Sequence, residues 1–461
     1  MPLVKRKTNI EFTPLGGGRE IGSNSYLVRI DGRDVILDCG VHPKKEGYPA
    51  LPDFSLLTRA PDAAIISHGH VDHCGALPEL IKRFPSVTPC ATTATVSIMD
   101  RMLHNSVAVM GTLARERGIR EYPLYSHEDV DSTIRRTLGI RLGQDFLINR
   151  RKDMTARFFH AGHVLGGASV LLRTPGHTLF YSGDICVADQ ELVAGLIPLD
   201  TSIKVDTLII ESTYGANAEA DGVRYEDEID RFAEAVRDVL EDGGVALVPS
   251  FALGRSQELL NIIARLQETG QLPDVPVLSS GLGRAIYEVY SLFPEYLRSD
   301  ANLRPLSRFG RTGDTWNPRA VRKLLSEPTI IIATSGMMVE NTPSALITQE
   351  MVRHTHHGIF FVGYLDPDSL GYKLLHCRPG DALQFQLDAP PVKVKLENIR
   401  WFYFSAHAPR EALCNVIRRI QPKNVVFVHG DPGAIDWMYT HASNGCAKFA
   451  PTVGETIILE T

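Results

Sequence analysis

Short runs of apolar and β-branched residues, separated by glycine turns, characterise the chain through residue 210. The runs predict one set of strands at 9–14, 25–30, 34–38 and 63–67. They predict a second set at 155–160, 169–173, 178–182 and 207–210, divided by Gly-Gly, Pro-Gly and Gly-Asp turns. The first part of the chain is therefore expected to be rich in β-structure.

The pattern changes at about residue 214, where helical periodicity begins to alternate with fully apolar runs. Residues 226–241 read as a helix, and GVALVPSFA reads as a strand followed by the helical GRSQELLNIIARLQE. VPVLSSG, PTIIIATSG and GIFFVGYL repeat this theme. Apolar strands that alternate with helices predict a mainly parallel α/β domain. Strand sequence returns at VKVKLENIRWFYFSA and at NVVFVHG.

Length and composition predict a globular protein of more than one domain. A chain of 461 residues exceeds one ordinary core, and 44% hydrophobic with 22% charged residues is typical of soluble proteins. No run approaches the roughly 18 apolar residues of a membrane helix, so no membrane association is expected. The opening MPLVKRKTNIEFTPLGGG lacks the apolar core and cleavage site of a secretory signal. We therefore expect a cytoplasmic protein.

Charge and cysteine usage narrow the binding chemistry. The seven cysteines form no C-x-x-C pair, which argues against a cysteine zinc knuckle or a disulfide framework. The net charge of −6 gives no overall attraction to nucleic acid. A polyanionic substrate would have to be held locally, by metal ions and a few arginines.

The strongest chemical signal is an H-x-H-x-D-H cluster directly after the apolar strand AAIIS. Four donors on one tight turn suit zinc, which takes imidazole and carboxylate ligands. Single histidines and aspartates after strands are usually structural, but here three more follow other β-rich runs. Together they provide the seven donors of a two-metal site: His68, His70, Asp72, His73, His163, Asp184 and His429.

These motifs, with Asp38 at the end of VILD, resemble those of the metallo-β-lactamase superfamily. ESTYG, FSAHA and VHGD, which contain Glu211, His407 and His429, are similar to the three additional motifs of the β-CASP ribonuclease family. DCGVHPKKEG and FALGRSQELL look most like the endonuclease subunit of the mRNA cleavage and polyadenylation machinery and its prokaryotic relatives. The resemblance covers nearly the whole chain.

The resemblance implies an α/β fold in two parts. A four-layer αββα metallo-β-lactamase domain would comprise residues 1–213 and 397–461. An inserted α/β β-CASP domain would comprise residues 214–396.

The resemblance also implies two zinc ions. The expected ligands are His68, His70 and His163 for one ion, Asp72, His73 and His429 for the other, and Asp184 as the bridge. Asp38 would orient ligands from behind, a role that metal sites generally require.

The implied activity is endonucleolytic hydrolysis of single-stranded RNA, and an additional exonuclease activity stays open. Two zinc ions would activate the attacking water. Asp72, His407 and Glu211 are the expected catalytic residues, with His407 as general acid oriented by Glu211. Relatives that process RNA carry histidine at the position of His429, whereas those acting on DNA typically carry valine. The expected substrate contacts are Arg255, Arg284, Ser335 and Gly336.

Several positions depart from the family pattern and keep alternatives open. Pro409 stands where relatives usually have aspartate, two residues after His407. Asp366, Asp368 and Glu340 add negative charge that opposes a polyanion. Another phosphodiester substrate, DNA or a small molecule, therefore stays open, as do an inactive scaffold role and a homodimer.

Overall fold

The computed structural model describes residues 10–148, 153–386, 389–442 and 445–459. Residue 9, the predicted start of the first strand, lies outside them. The chain forms two compact units. The first unit comprises Met1–Ala188, Gly195–Asp221 and His407–Thr461, and the second comprises Asp189–Ala194 and Gly222–Ala406. None of the described helices is long and apolar enough to cross a membrane.

Up to residue 211, the described residues of the first unit form eleven strands and four helices. The strands are β1 (Ile10–Gly16), β2 (Ser25–Ile30), β3 (Arg33–Leu37), β4 (Ala63–Ile65), β5 (Thr88–Thr92), β6 (Leu138–Ile140), β7 (Asp145–Leu147), β8 (Thr155–His160), β9 (Ala168–Thr174), β10 (His177–Tyr181) and β11 (Thr207–Glu211). The helices are α1 (Val71–Cys74), α2 (Leu77–Arg83), α3 (Thr93–Arg117) and α4 (His127–Arg136).

The second unit alternates strands with helices. Its strands are β12 (Val245–Pro249), β13 (Val277–Ser279), β14 (Gly310–Arg311), β15 (Thr329–Ala333), β16 (Gly358–Val362), β17 (Ala382–Leu383), β18 (Val392–Lys393) and β19 (Asn398–Phe402). Its helices are α5 (Tyr225–Glu241), α6 (Arg255–Glu268), α7 (Gly281–Leu292), α8 (Pro318–Leu324), α9 (Pro343–Met351) and α10 (Leu370–Leu375).

The chain then returns to the first unit and adds its last elements. These are α11 (Arg410–Ile420), β20 (Asn424–Val428), α12 (Pro432–His441), β21 (Ala447–Phe449) and β22 (Ile457–Ile458). Short 3-10 helices occur at Tyr48–Ala50, Phe54–Leu56, Ala218–Ala220, Pro294–Tyr296 and Leu306–Arg308.

Two seven-stranded sheets form the centre of the first unit. Their strand orders are β22-β1-β2-β3-β4-β5-β6 and β21-β20-β11-β10-β9-β8-β7. Apolar side chains of both sheets, such as Phe12 and Phe158, share one buried core. The outer face of the first sheet packs against α2, α3 and α4, and that of the second against α11 and α12. The predicted four-layer αββα fold is confirmed.

A six-stranded sheet of order β14-β13-β15-β12-β16-β19 forms the centre of the second unit, and its neighbouring strands are parallel. Its strands are fully buried in the middle, as expected for parallel strands covered on both faces. Helices α5, α6 and α7 cover one face, and α8, α9 and α10 cover the other. The predicted α/β domain is confirmed.

The extent of the second unit differs from the predicted 214–396. β19 pairs in parallel with β16 and therefore belongs to the sheet of the second unit. Phe402 and Phe404 meet Phe232 of α5 with ring centroids 5.4 and 5.5 Å apart. This aromatic contact adds the strand to the apolar core of the second unit, which extends to Ala406.

Candidate metal centre

The sheet topology brings three polar residues to one edge of the second sheet of the first unit. β10, β11 and β20 are parallel neighbours, so their carboxyl ends meet at the same edge. Asp184 follows β10, Glu211 ends β11 and His429 follows β20. Ligand sites in open α/β sheets form at such carboxyl ends.

Three histidines and one carboxylate converge on a first group of ligand atoms. His70 Nδ1 lies 3.0 Å from His68 Nε2 and 3.1 Å from His163 Nε2. Asp184 Oδ2 lies 3.6 Å from His68 Nε2 and 3.8 Å from His163 Nε2. Donor atoms on a tetrahedral zinc ion with bonds of 2.0–2.1 Å are separated by roughly 3.3 Å. The spacing of these four atoms is therefore suitable for one zinc ion.

A second group adjoins the first through the same aspartate. His73 Nε2 lies 3.3 Å from Asp184 Oδ2 and 3.6 Å from Asp72 Oδ2. His429 Nε2 lies 3.4 Å from Asp72 Oδ2. That nitrogen is buried and has no hydrogen-bond partner among the described residues. A buried polar atom without a partner is costly unless a ligand contacts it, which fits a metal ion.

Asp38 holds this arrangement from behind. Its Oδ1 accepts the Ser67 backbone N–H at 2.6 Å, and its Oδ2 accepts the Ser67 hydroxyl at 2.7 Å and the Tyr181 hydroxyl at 2.5 Å. His73 Nδ1 lies 2.8 Å from the same Oδ2. When Nδ1–H donates to Asp38, His73 Nε2 presents a lone pair to the centre, as in other metal-binding histidines.

Backbone geometry also shapes the centre. Asp38 and His429 adopt φ angles of 59° and 50°, in the left-handed region that non-glycine residues rarely occupy. Such strain persists when the surroundings fix it, and it is typical of functional sites. At Gly40 a Cβ atom would lie 1.7 Å from the Asp72 carbonyl oxygen. Only glycine leaves α1 room to approach β3 closely.

His407 and Glu211 form a hydrogen-bonded pair next to the histidines. His407 Nδ1 lies 2.9 Å from Glu211 Oε2, and the His407 ring centre lies 4.6 Å from that of His163. Glu211 Oε2 also accepts the Thr213 hydroxyl at 2.6 Å, and its Oε1 accepts the Ile185 N–H at 2.6 Å. These bonds fix the carboxylate, which in turn orients the imidazole.

The buried carboxylates of this cluster favour positive charge beside them. Burial lowers the pKa of His429, but the Asp184 and Asp72 carboxylates together outweigh burial and raise the pKa to about 10. The same balance raises the pKa of His73, whereas burial beside His73 lowers that of His68. Histidine charges, outweighing burial, lower the pKa of Asp72 and Asp184. The two carboxylates thus stay ionised and require nearby cations, which a divalent metal supplies.

Comparison with known proteins places these features in a family. Residues 18–208 match the family model of the metallo-beta-lactamase superfamily, and residues 256–374 match that of the Beta-Casp domain. The chain belongs to the β-CASP family of the metallo-β-lactamase superfamily. Residues 391–445 match a third model, described as a Zn-dependent metallo-hydrolase RNA specificity domain. The prediction of a metal-dependent hydrolase is confirmed at the level of the family.

β-CASP relatives align along most of this chain. Cleavage and polyadenylation specificity factor 73 of Drosophila melanogaster is 29% identical over 92% of this chain and 60% of its own length. An RNase J-like protein of Methanocaldococcus jannaschii is 29% identical over 90% of this chain and 91% of its own. The transcription termination factor FttA of Cenarchaeum symbiosum is 28% identical over 93% of this chain and 67% of its own length. The chain thus spans under two thirds of the Drosophila protein.

A solved structure shares the overall fold of this β-CASP protein. The crystal structure of a protein of unknown function from Enterococcus faecalis V583 has a TM-score of 0.56 over 98% of this chain and 100% of its own. Its sequence identity is 15%, so the likeness supports the fold alone.

The four residues expected to contact substrate lie in the second unit. Arg255 is buried and donates to the Phe404 carbonyl oxygen at 2.8 Å and to Gln190 Oε1. Arg284 donates to the Phe309 carbonyl oxygen at 2.7 Å and lines a cavity of about 350 Å³. Arg255 therefore has an internal role, whereas Arg284 borders open space.

Ser335 and Gly336 form a close turn in the second unit. The Ser335 carbonyl oxygen accepts the Ser344 hydroxyl at 2.7 Å. A Cβ atom at Gly336 would lie 3.1 Å from the Phe251 backbone nitrogen. This turn is tightly packed against its own unit.

The departures from the family pattern have local structural roles. Pro409 is the N-cap residue of α11, directly before its first residue Arg410. Asp366 is buried, and its carboxylate accepts the Asp368 N–H at 2.9 Å in the turn before α10. Asp368 is exposed and Glu340 half-buried. The carboxylate of Asp366 thus closes a turn, so it adds less surface charge than the sequence indicates.

Two residues of the centre were missed in the sequence. Asn24 Nδ2 lies 3.0 Å from His73 Nε2 and 3.4 Å from Asp72 Oδ2. Thr213 Oγ1 lies 3.0 Å from His429 Nδ1 in addition to its bond with Glu211. Thr213 could have been found within the ESTYG motif. The role of Asn24 could not be predicted from the sequence, because asparagine is common beside glycine turns.

Proposed function

We propose that this protein is a zinc-dependent ribonuclease that hydrolyses phosphodiester bonds of single-stranded RNA. The observation that carries the proposal is the convergence of seven ligand atoms beside the His407–Glu211 pair. The family supports it, since β-CASP relatives include proteins named RNase J-like protein and cleavage and polyadenylation specificity factor. The match to an RNA specificity domain also favours RNA.

The chain's donors suit two zinc ions. One set would comprise His68, His70 and His163, the other Asp72, His73 and His429, with Asp184 shared between them. When bound, two zinc ions supply positive charge and Lewis acidity that activate water for attack on phosphorus.

The protein's own groups perform the remaining tasks. Asp38 keeps His73 in the tautomer whose Nε2 faces the centre. Departure of the ribose oxygen requires a proton, and His407 Nε2 is the group placed to donate it. Glu211 holds His407 Nδ1, and Thr213 holds Glu211. His407, Glu211 and Asp72 are therefore the proposed catalytic residues.

The second unit would contribute substrate contacts. Arg284 borders a cavity together with Arg311, and two guanidinium groups beside open space suit a phosphate. Ser335 and Gly336, which form a turn, remain proposed contacts to the substrate. For Arg255 we propose an indirect contribution, through the backbone at Phe404 that it holds.

One observation keeps a second activity open. Exposed Asp368 and half-buried Glu340 place negative charge on the second unit, and negative charge opposes a long polyanion. A DNA or small-molecule phosphodiesterase is therefore the alternative, and an inactive scaffold is the non-enzymatic one. We also propose a cytoplasmic location, and we leave a homodimer open.

Cleavage of a 5′-labelled single-stranded RNA and of its DNA counterpart tests the proposal. The zinc-loaded protein is compared with Asp72→Ala, His407→Ala and the control His441→Ala, which removes a histidine of α12. We expect RNA cleavage that Asp72→Ala abolishes and His441→Ala retains. His407→Ala should lower kcat about 10²- to 10⁴-fold, the usual contribution of a general acid, with zinc content unchanged.

Other results would redirect the assignment. Equal cleavage of DNA would favour the broader phosphodiesterase. Two bound zinc ions without cleavage of either polymer would exclude the nuclease. Failure to bind zinc would favour the scaffold.

A further inference from the structure

Two neighbouring helices of the first unit carry histidines and aspartates at matching intervals. Asp100 and His104 lie four residues apart on α3, and His127 and Asp131 lie four residues apart on α4. Residues at this spacing share one helix face. The helices pack through a shared apolar core, and their polar pairs meet at its margin. None of the four residues belongs to the catalytic centre described above.

Three ligand atoms of these residues converge. His104 Nε2 lies 3.2 Å from Asp131 Oδ1 and 3.6 Å from Asp100 Oδ1. One atom from each of the three side chains lies within 4.8 Å of the others. The side chains of Asp100, His104 and Asp131 are 37%, 31% and 50% exposed, so an ion could enter from solvent and keep water ligands.

His127 is the hydrogen-bond partner of His104 Nδ1. His104 Nδ1 lies 2.7 Å from His127 Nδ1, and the two rings are 21° from parallel with centroids 5.0 Å apart. The rings therefore meet edge to edge, and one nitrogen must donate to the other. Without an ion, His104 Nε2–H donates to Asp131 Oδ1 at 3.2 Å, and Nδ1 accepts from His127. With an ion in the site, Nδ1–H would donate to His127 instead, and the Nε2 lone pair would face the ion. Metal-binding histidines are oriented in this way by an acceptor on the other nitrogen.

The position of His127 is itself well defined. It is the first residue of α4 and lies within the capping box formed by Ser126 and Asp129. In that box, the Ser126 hydroxyl accepts the Asp129 N–H at 3.2 Å, and the Asp129 carboxylate accepts the Ser126 N–H at 2.8 Å. A reciprocal cap of this kind fixes the start of a helix. The cap therefore fixes the backbone position from which His127 meets His104.

We propose that Asp100, His104 and Asp131 form an additional metal site, the α3–α4 site, for a divalent first-row transition metal ion. One imidazole, two carboxylates and water are ligands that Mn²⁺ and Zn²⁺ accept. His127 is a positioning residue that acts through His104. An ion at this site links α3 to α4.

Mn²⁺ titration of the zinc-loaded protein, followed by electron paramagnetic resonance of free Mn²⁺, tests the α3–α4 site. Metal analysis of the same samples counts zinc and manganese together. We expect one Mn²⁺ per chain in addition to the zinc, and its loss in His104→Gln and in Asp131→Asn. His127→Ala should weaken Mn²⁺ binding about 10- to 100-fold, as loss of an orienting partner does.

The matched control is Asp230→Asn, which removes an exposed carboxylate from α5 in the second unit and should keep the additional Mn²⁺. Circular dichroism and zinc content identify any variant that fails to fold. Wild-type protein that takes up no Mn²⁺ beyond its zinc would overturn the proposal. Equal Mn²⁺ binding by wild type, His104→Gln and Asp131→Asn would overturn it as well.

Discussion

Asp184 connects the two groups of proposed ligands, because its two oxygens face different histidines. Oδ2 lies 3.3 Å from His73 Nε2, and Oδ1 lies 3.1 Å from His429 Nδ1. The residue is 3% exposed, so water screens these interactions little. A single residue thus couples ligands from three separate segments of the chain.

Glu258 of α6 provides a prediction about pH and stability. It is buried and accepts the N–H groups of Leu192 at 2.8 Å and Val193 at 3.2 Å. Burial raises its pKa from 4.5 to about 7, although Arg255 opposes the shift. Between these two values the folded protein holds a proton that the unfolded chain releases. The free energy of unfolding should therefore fall as pH rises through this window.

The size of the effect is on the order of 3 kcal/mol, at 1.36 kcal/mol per pKa unit. Urea unfolding is followed at several pH values by hydrogen exchange of β12 and β15. The free energy of unfolding should fall with pH in wild type but not in Glu258→Gln, because the glutamine side chain stays neutral. Glu295→Gln, which removes an exposed carboxyl group, is the control. Parallel pH profiles of wild type and Glu258→Gln would contradict the prediction.

At the scale of elements, the close contact of β3 with α1 decides whether the second ligand set forms. Gly40→Ala would place a Cβ atom against the Asp72 carbonyl oxygen. The displaced α1 should lower the free energy of unfolding by about 3 kcal/mol, as overpacking does. It should also reduce zinc content, because Asp72 and His73 lie on α1.

Gly433→Ala in α12 is the matched control, since a Cβ atom there meets nothing within 4 Å. Alanine in a helix is expected to be neutral or to stabilise by up to about 1 kcal/mol. Zinc analysis and urea unfolding measure both variants. A Gly40→Ala protein with wild-type zinc content and stability would show that α1 can shift without cost.

At the scale of the whole molecule, metal binding should stabilise the first unit selectively, because all seven proposed ligands belong to it. A ligand at about 100 times its Kd stabilises the folded state by about 2.7 kcal/mol. Zinc removal by a chelator should therefore accelerate amide exchange in α1 and β20 by about 100-fold. Hydrogen exchange with mass spectrometry measures this.

Exchange in β12 and β15 of the second unit is the internal control and should change little. Equal acceleration of amide exchange in both units would mean that the two units unfold as one cooperative unit that zinc stabilises. No acceleration in either unit would mean that zinc contributes nothing to folding.

The sequence by itself determined what depends on contiguous residues. Runs of apolar and β-branched residues located the strands, and β2, for example, has the predicted bounds Ser25–Ile30. H-x-H-x-D-H predicted a metal site because all four donors lie within six residues. The fold class followed from the same local patterns together with the family motifs. In each case, the information lies in neighbours along the chain.

Tertiary structure decided what depends on residues far apart in the chain. β19 reads as a strand in sequence, but its pairing with β16 and the contact of Phe402 with Phe232 placed it in the second unit. Asn24 reaches His73 from 49 residues away. Such contacts arise from packing, because a strand's period does not specify its partner. Packing alone brings distant side chains into contact.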